Sequence, residues 1–393
     1  MPRAVVTHAF RTPIGKFLGQ FKDLSAVELW SHAGKAVLGA SRVGAAEVDE
    51  AWIGCARQAG LGPNPARQAI LAAGLAESVP ATTLNMACGS GLQAVILAAR
   101  SISSGAATIA VAGGMESMTR VPFLLPSARL GYRLGHGKMV DAMYQDGFHC
   151  PLANQLMGET AETLARRYEI SRQEQDEFAV RSHLKAAQAA ARLAEEIVPV
   201  PVVVKSVTTD VRLDEQVRGD ISAAKLSTLP PAFDTTSGTV SAGNASGITD
   251  GAAALLLMAE EEAQRRGLPV LAYVEACAQA AIDPKIMGLG PVPAVRRLEA
   301  SSGLRLADFD LVELNEAFAA QVLACDRELH LDHDRLNVNG GAIALGHPIG
   351  ATGARIVVTL LHELRRRQGQ RGLASLCISG GMGLAVAFRR PSA

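Results

Sequence analysis

Ala81-Thr82-Thr83-Leu84-Asn85-Met86-Ala87-Cys88-Gly89-Ser90-Gly91-Leu92, continued to Ile102, is the stretch that decides how this chain folds. Ala81 to Met86 reads as a short buried strand, and Leu92, Val95, Ile96 and Ala99 recur at helical spacing. Cys88 therefore falls on a strand-to-helix turn, the geometry of a nucleophile elbow with cysteine in place of serine. Glycine beside it strips bulk from the backbone, so a substrate can approach the sulfur closely. Unpaired N–H groups at a helix start favour thiolate over thiol, which predicts a lowered pKa and a usable nucleophile near neutral pH. Most free cysteines are simply small buried residues. Cys55, Cys150, Cys277 and Cys325 are read that way, since none sits in a glycine turn opening a helix.

Outward from this turn, short apolar strands alternate with helical stretches. Ala4 to Thr7 is extended; the capping box Ser25-Ala26-Val27-Glu28 opens a helix with Val27, Trp30, Ala33 and Val37 inward. Ala51 to Gly54 is extended and Asn64-Pro65 caps a second helix. With the elbow and a strand over Thr108 to Ala112, this makes a βαβαβαβ half. A loop-rich stretch over Leu130 to Gly137 follows, then a second capping box, Ser171-Arg172-Gln173-Glu174, opening a helix to about Leu193. The plan then repeats: strand Leu271 to Ala276, helix near Val292 to Ala300, strand Leu311 to Leu314, helix Phe318 to Leu329, helix Gly350 to Arg367 and a hairpin over Leu373 to Phe388. The turns entering helices at Gly89 and Gly350 look equivalent, as in a duplicated α/β unit.

Two further motifs carry chemistry. His347, in Gly340-Gly341-Ala342-Ile343-Ala344-Leu345-Gly346-His347-Pro348-Ile349-Gly350, has neighbours that fix the backbone and leave the ring free. That suits a general base for a thiol better than a packing role inside an amphipathic run. Cys377, in Cys377-Ile378-Ser379-Gly380-Gly381-Met382-Gly383, ends an apolar strand beside exposed amides that could hold an oxyanion, with the sulfur as acid and base. A disulfide to Cys88 is the competing reading, which nothing secretory in the chain favours. No C-x-x-C or H-x-x-x-H pair has ligand spacing, so no metal is expected.

Taken together these motifs resemble the thiolase family, coenzyme A-dependent acyltransferases that make or cleave 3-ketoacyl-CoA. The resemblance spans essentially the whole chain. It includes Arg11-Thr12-Pro13-Ile14-Gly15, Asn85 to Gly91, Gly113-Gly114-Met115-Glu116-Ser117-Met118, Ala242-Gly243-Asn244-Ala245-Ser246-Gly247, Asn315-Glu316-Ala317-Phe318, Asn339 to Gly353 and Cys377 to Gly383. It implies two related halves in a five-layered α-β-α-β-α core: residues 1–119 with 247–268, and residues 269–393, with a coenzyme A-covering insertion over residues 120–246. It also implies that Cys88 is acylated, that His347 activates it, and that Cys377 exchanges the α-proton of the second acyl-CoA. Asn315 would hold a water that with His347 forms one oxyanion hole, and the backbone amides of Cys88 and Ser379 would form the other. Many members have glycine where this chain has Ser379. Arg218 would meet the adenine and 3′-phosphate end, with Leu229, Phe233 and Ser246 along the pantetheine and Met157, Met287 and Phe318 near the acyl group. Leu156-Met157-Gly158 replaces the histidine that short-chain members carry before the methionine-glycine pair, which admits a bulkier acyl group. The implied reaction is reversible condensation of two acetyl-CoA, or thiolysis of a 3-ketoacyl-CoA, with longer-chain or 3-oxoadipyl-CoA substrates as the alternative. Acyl-CoA and CoA are the expected partners, with no permanently bound cofactor, in a homodimer or homotetramer whose contacts could involve the Leu130 to Val140 loop.

Three rival readings fit the residues less well. A ketoacyl-carrier-protein synthase shares the elbow and the duplication but completes its site with histidines or histidine and asparagine instead of a second thiol. A non-catalytic acyl-CoA binder would not need Cys88, His347 and Cys377 together. A Rossmann dehydrogenase lacks its G-x-G-x-x-G after the first strand.

Composition agrees. The 393 residues suffice for roughly two to three domains, and a 48% hydrophobic fraction supports sizeable cores. Lys+Arg and Asp+Glu balance at 38 each and aromatics are 4%, so neither nucleic acid nor an anionic membrane is an expected partner. Six unclustered cysteines, no signal-peptide pattern at Met1 to His8, no membrane-length apolar run and no peroxisomal address at Pro391-Ser392-Ala393 predict a cytoplasmic location.

Overall fold

In a computed structural model describing residues 2–391, two sheets and three helical layers stack in order. Met1, Ser392 and Ala393, on which part of the targeting expectation rests, lie outside the described residues. The elements that position the site are β1 (Ala4–Arg11), α1 (Ala26–Ser41), β2 (Glu50–Gly54), α2 (Pro65–Ala72), β3 (Ala81–Leu84), α3 (Ser90–Ser104), β4 (Ile109–Ser117), α4 (Met157–Arg167), α5 (Arg172–Gln188) and β5 (Thr249–Ala259). They continue with β6 (Ala272–Ala281), α6 (Pro291–Ser302), β7 (Leu311–Leu314), α7 (Ala319–Leu329), α8 (Ile349–Arg367), β8 (Arg371–Ile378) and β9 (Met382–Arg389).

The first sheet runs β3-β2-β4-β5-β1 and the second β6-β9-β8-β7. They meet edge to edge through a short antiparallel pairing of β1 with β6, Val5 opposite Tyr273 and Val6 opposite Ala272. Within the first, β3, β2 and β4 are parallel, while β5 lies antiparallel between β4 and β1. In the second, β7 is parallel to β8.

Burial explains the layering. A central core gathers Leu92, Val95 and Ile102 of α3, Ile356, Val357 and Leu360 of α8, and the inward residues of both sheets, including Leu255 and Leu376. A helix buried on every side must be small or apolar all round, and fifteen residues of α8 are buried. Where α3 and α8 cross, a Cβ on Gly91 would come within 2.7 Å of the Ala354 amide nitrogen, so this pair of backbones touches because a side chain is absent. Two outer cores close the stack: α1 and α2 cover one sheet through Leu29, Trp30 and Ile70, and α6 and α7 cover the other through Val295, Leu298 and Val322. The expected α-β-α-β-α arrangement of two halves is what the chain forms.

Most expected elements are present with shifted ends. Both capping boxes form, Ser25 with Glu28 and Ser171 with Glu174, and Asn64 accepts the Arg67 N–H at the start of α2. β4 runs on to Ser117, past the expected end at Ala112 and through Gly113 and Gly114, because pairing with β2 and β5 on both sides outweighs glycine's backbone entropy. β3 stops at Leu84, two residues short of the expected end, where Asn85 begins the elbow. The insertion's long helix breaks after Gln188, with a separate turn at Ala190–Leu193. The insertion also contains an unexpected hairpin, Val200–Val204 with Val207–Val211. Its segment from Leu130 to Met139 carries no helix or strand and leaves Leu130, Leu134 and Met139 exposed. No helix among the described residues is long and apolar enough to cross a membrane.

Candidate active site

The elbow is closed by short-range bonds. Ala87 takes a left-handed conformation, φ 46°, a strained choice for a residue with a Cβ. Asn85 Oδ1 accepts the Ala87 N–H at 3.0 Å. Buried Ser90 accepts the Met86 N–H at 2.8 Å and donates to the Ala87 carbonyl at 2.7 Å. Gly89, the residue before α3, packs against Ile378 of β8; a Cβ there would stand 2.6 Å from Ile378 Cδ1. The elbow of one half thus sits directly on the end of a strand from the other.

His347 enters from the loop before α8. Its backbone N–H donates to the Gly247 carbonyl at 3.2 Å. Three residues on, the Gly350 N–H donates to Glu116 Oε2 at 2.9 Å. The same buried carboxylate also accepts the N–H groups of Ala56 and Arg57, so the end of β4, the segment after β2 and the start of α8 are tied to one residue. The ring's protonation follows from its partners. Thr352 Oγ1 donates to the Pro348 carbonyl at 3.0 Å, which leaves it only lone pairs to offer His347 Nδ1, 2.6 Å away. Nδ1 therefore carries the proton, and Nε2 is free to accept from Cys88 Sγ at 3.2 Å.

Electrostatics keep this pair neutral at rest. Burial, with the Arg355 and Arg57 charges adding to it, pulls His347 down to about 3. Burial pushes the Cys88 thiol up, against the opposing pull of Arg57 and of the backbone N–H groups of Ser379 and Cys88 itself. The lowered thiol expected from the turn is thus corrected. Cys88 precedes the residue before α3, and the cost of desolvating a thiolate exceeds what nearby amides return. The sulfur rests as a thiol hydrogen-bonded to imidazole.

Cys377, near the end of β8, is buried against Met287 and Ala317, with Met157 and Phe318 alongside. Burial first, and the neighbouring Cys88 second, hold its thiol well above the ordinary range. After it the chain turns through Gly380 and Gly381, φ 90° and 81°, where side chains are strained. All six cysteines are free, so no disulfide joins Cys88 and Cys377.

These groups share one cavity of about 350 Å³. Its lining includes Cys88, His347, Cys377 and Ser379, together with Phe233, Ser246, Met157, Met287 and Phe318, all anticipated from the sequence. Phe233 meets Phe318 edge to face at 6.2 Å, and the Ser246 N–H donates to the Ala317 carbonyl at 3.0 Å, which ties the Ala242–Gly247 motif to the Asn315–Phe318 motif. Three anticipated residues are not in the lining. Asn315 is buried two residues before the lining residue Ala317, and neither its amide oxygen nor its nitrogen meets a protein partner among the described residues. Leu229 packs beside the outer core of the second half, and Arg218 is exposed on the insertion. Sequence reasoning missed Thr352, Glu116 and Arg57. Thr352 had a weak signal, lying one helical turn past His347. Glu116 lay inside a motif already singled out. Arg57 follows the carboxyl end of a parallel strand, where sites in such sheets gather.

Comparison with known proteins agrees with this geometry. The family described as "Thiolase, N-terminal domain" matches residues 4–261, and "Thiolase, C-terminal domain" matches residues 268–390. The acetyl-CoA acetyltransferase of Escherichia coli (strain K12) is 49% identical over 393 residues, 99% of this chain and 100% of that protein. A crystal structure of the Bacillus anthracis acetyl-CoA acetyltransferase superposes with a TM-score of 0.97 at 44% identity, covering 99% of each chain. One of human mitochondrial 3-ketoacyl-CoA thiolase does so at 0.96 and 38%, again covering 99% of each. Matched through both halves and at nearly full length, the chain belongs to the thiolase family.

Proposed function

We propose that the protein is an acyl-CoA C-acyltransferase that condenses two acyl-CoA molecules, or cleaves a 3-ketoacyl-CoA, through an acyl-Cys88 intermediate. The observation that carries this reading is the contact of Cys88 Sγ with the unprotonated Nε2 of His347, in the same cavity as a second thiol. Nε2 takes the thiol proton as Sγ attacks the thioester carbon, and returns it to the departing CoA sulfur. With CoA gone, Nε2 of His347 accepts the Cys377 thiol proton; the resulting thiolate removes the α-proton of the second acyl-CoA, the enolate carbon attacks acyl-Cys88, and the departing Cys88 sulfur takes up the proton held on Nε2. In thiolysis the same thiol, kept protonated by burial, donates that proton.

Negative charge develops on one carbonyl oxygen during attack and on another during enolate formation, so two sets of donors are needed. The amides of Cys88 and Ser379 suit the first, supported by the pull of both on the Cys88 sulfur. Asn315, buried with an unspent amide, suits the second through a bound water beside His347, since buried polar groups normally find partners. Each such donor is worth about 2.7–4 kcal/mol in the transition state. CoA would reach the thiols past Phe233 and Ser246, with Leu229 along the pantetheine and Arg218 at the adenine and 3′-phosphate end; no bound cofactor is required by these steps. The return of β5 between β1 and β4 supports dividing the chain into residues 1–119 with 247–268, an insertion of 120–246 and a second half of 269–393. Exposed Leu130, Leu134 and Met139 favour a homotetramer contact through that loop, and the six free thiols favour a cytoplasmic setting.

Intact mass after incubation with acetyl-CoA tests the central claim. One acetyl group on the wild type and none on Cys88→Ala is the expected result. Cys377→Ala should still be acetylated while condensation falls by about 10²- to 10⁴-fold. An unmodified wild type, or undiminished turnover in Cys88→Ala, would remove the enzyme reading.

A further inference from the structure

The cavity around Cys88 is apolar and neutral apart from one residue. Phe148, Leu156, Met157, Met287, Phe318 and Ile349 line it, no Asp or Glu does, and Arg57 is the single lysine or arginine. Arg57 is only 8% exposed. Its Nε is buried without a partner, its Nη1 makes one long contact with the Ala56 carbonyl at 3.4 Å, and Nη2 donates to no protein acceptor among the described residues. The guanidinium lies over Gly147, where a Cβ would come within 2.8 Å of Nε. Gly147 belongs to a single π-helical turn, Tyr144–Phe148, that forms the same wall.

A buried cation with unspent donors is costly unless something anionic meets it. The buried Glu116 carboxylate feels the Arg57 charge, but its oxygens are taken up by the N–H groups of Ala56, Arg57 and Gly350, and no carboxylate lies within 4.0 Å of the guanidinium among the described residues. Asp146 borders a neighbouring outer cavity with Arg57 without forming an ion pair to it. The missing anion is therefore a ligand. The phosphates of CoA lie a whole pantetheine arm away from the thioester carbon, whereas Arg57 shares the chamber of Cys88, so the anion belongs to the acyl group.

We infer that Arg57 is a specificity-determining residue that pairs with a carboxylate at the far end of the acyl chain, making thioesters of dicarboxylic acids, ω-carboxy-3-ketoacyl-CoAs, the preferred substrates. The inference rests on the thiolase reading. It assigns the single full charge of the pocket a partner, and guanidinium is the side chain whose paired donors match a carboxylate.

The test compares 3-oxoadipyl-CoA with 3-oxohexanoyl-CoA, the same carbon chain with a methyl group in place of the carboxylate, in wild type, Arg57→Met and Arg57→Lys. Wild type should favour the charged substrate in kcat/KM by about 10-fold or more, and the ratio of charged to uncharged kcat/KM should fall by about 10- to 100-fold in Arg57→Met, with Arg57→Lys between. The wild-type ratio alone keeps the inference falsifiable should Arg57→Met not fold: a preference for the uncharged chain, or none, overturns it. So does an equal loss on both substrates together with a shifted pH profile for alkylation of Cys88, which would make Arg57 an electrostatic aid to the thiol. Absence of thiolysis on either substrate, with no acyl adduct on Cys88, would instead defeat the underlying thiolase reading.

Discussion

The entrances to the two central helices, α3 and α8, occupy matching places in the two halves and are built by different means. At α3 the turn bearing Cys88 is closed by its own neighbours: Asn85 and Ser90 satisfy the backbone within a few residues. At α8 the loop bearing His347 is held from far along the chain, by the Gly247 carbonyl and by Glu116, whose bond to Gly350 spans 234 residues. Both must be right for Sγ and Nε2 to meet at 3.2 Å. A thiol can be presented by a self-contained motif, but the imidazole beside it depends on the two halves being docked correctly.

Substitutions on each side can break or sharpen this contrast. His347→Ala should have the largest effect, slowing acylation of Cys88 by about 10³-fold in single-turnover measurements with acetyl-CoA. A loss below tenfold would show that the thiol reacts without the imidazole. Glu116→Ala removes the long-range clamp and leaves three buried N–H groups unmet, so urea denaturation should show about 3 kcal/mol or more of destabilisation. A stability within 1 kcal/mol of wild type would contradict the clamp role.

Thr352→Val deprives His347 Nδ1 of its acceptor and permits the wrong tautomer, with an expected loss of about 10- to 100-fold in kcat/KM and about 1–2 kcal/mol of stability from two lost hydrogen bonds. The wild-type pH profile bears on the same ring. Because His347 is held at about 3, below its ordinary 6.5, it stays neutral well into acid, and acylation should show no protonation limb between pH 7 and pH 5. The sign for stability is the opposite of a stabilised cation. The neutral ring's contribution is complete above 6.5 and is lost as pH falls toward about 3, because the unfolded chain takes up the proton first. A limb near pH 6.5 in the acylation rate would overturn the neutral-pair description. Ser90→Ala should have the smallest effect, about 1–2 kcal/mol from two lost hydrogen bonds, confined to the elbow and visible as slower alkylation of Cys88. If it unsettled His347 equally, the contrast between local and long-range construction would fail.

The same division governs what could be read in advance. Capping boxes at Ser25 and Ser171, the Asn64-Pro65 start and the elbow itself are bonds between residues a few positions apart, and each was legible. The extension of β4 through its glycines was not, because its stability comes from partners on both sides. In the site, the motif residues Cys88, His347 and Cys377 were evident from their glycine settings, whereas Phe233, Met157 and Met287 were anticipated only through the family resemblance. Thr352, Glu116 and Arg57 were passed over, since a threonine, a glutamate or an arginine acquires chemical meaning only from what surrounds it.

By itself, then, the order of residues determined the alternation of strands and helices, the duplication, and which thiols and imidazole are set in glycine loops, because these depend on spacing and on backbone freedom. Tertiary structure decided that Cys88 rests as a thiol, that Nε2 of His347 is the basic nitrogen, and that Arg57 stands alone in an apolar chamber. Protonation and charge pairing depend on burial and on neighbours brought from distant parts of the chain, and both come into being only when the two sheets close on α3 and α8.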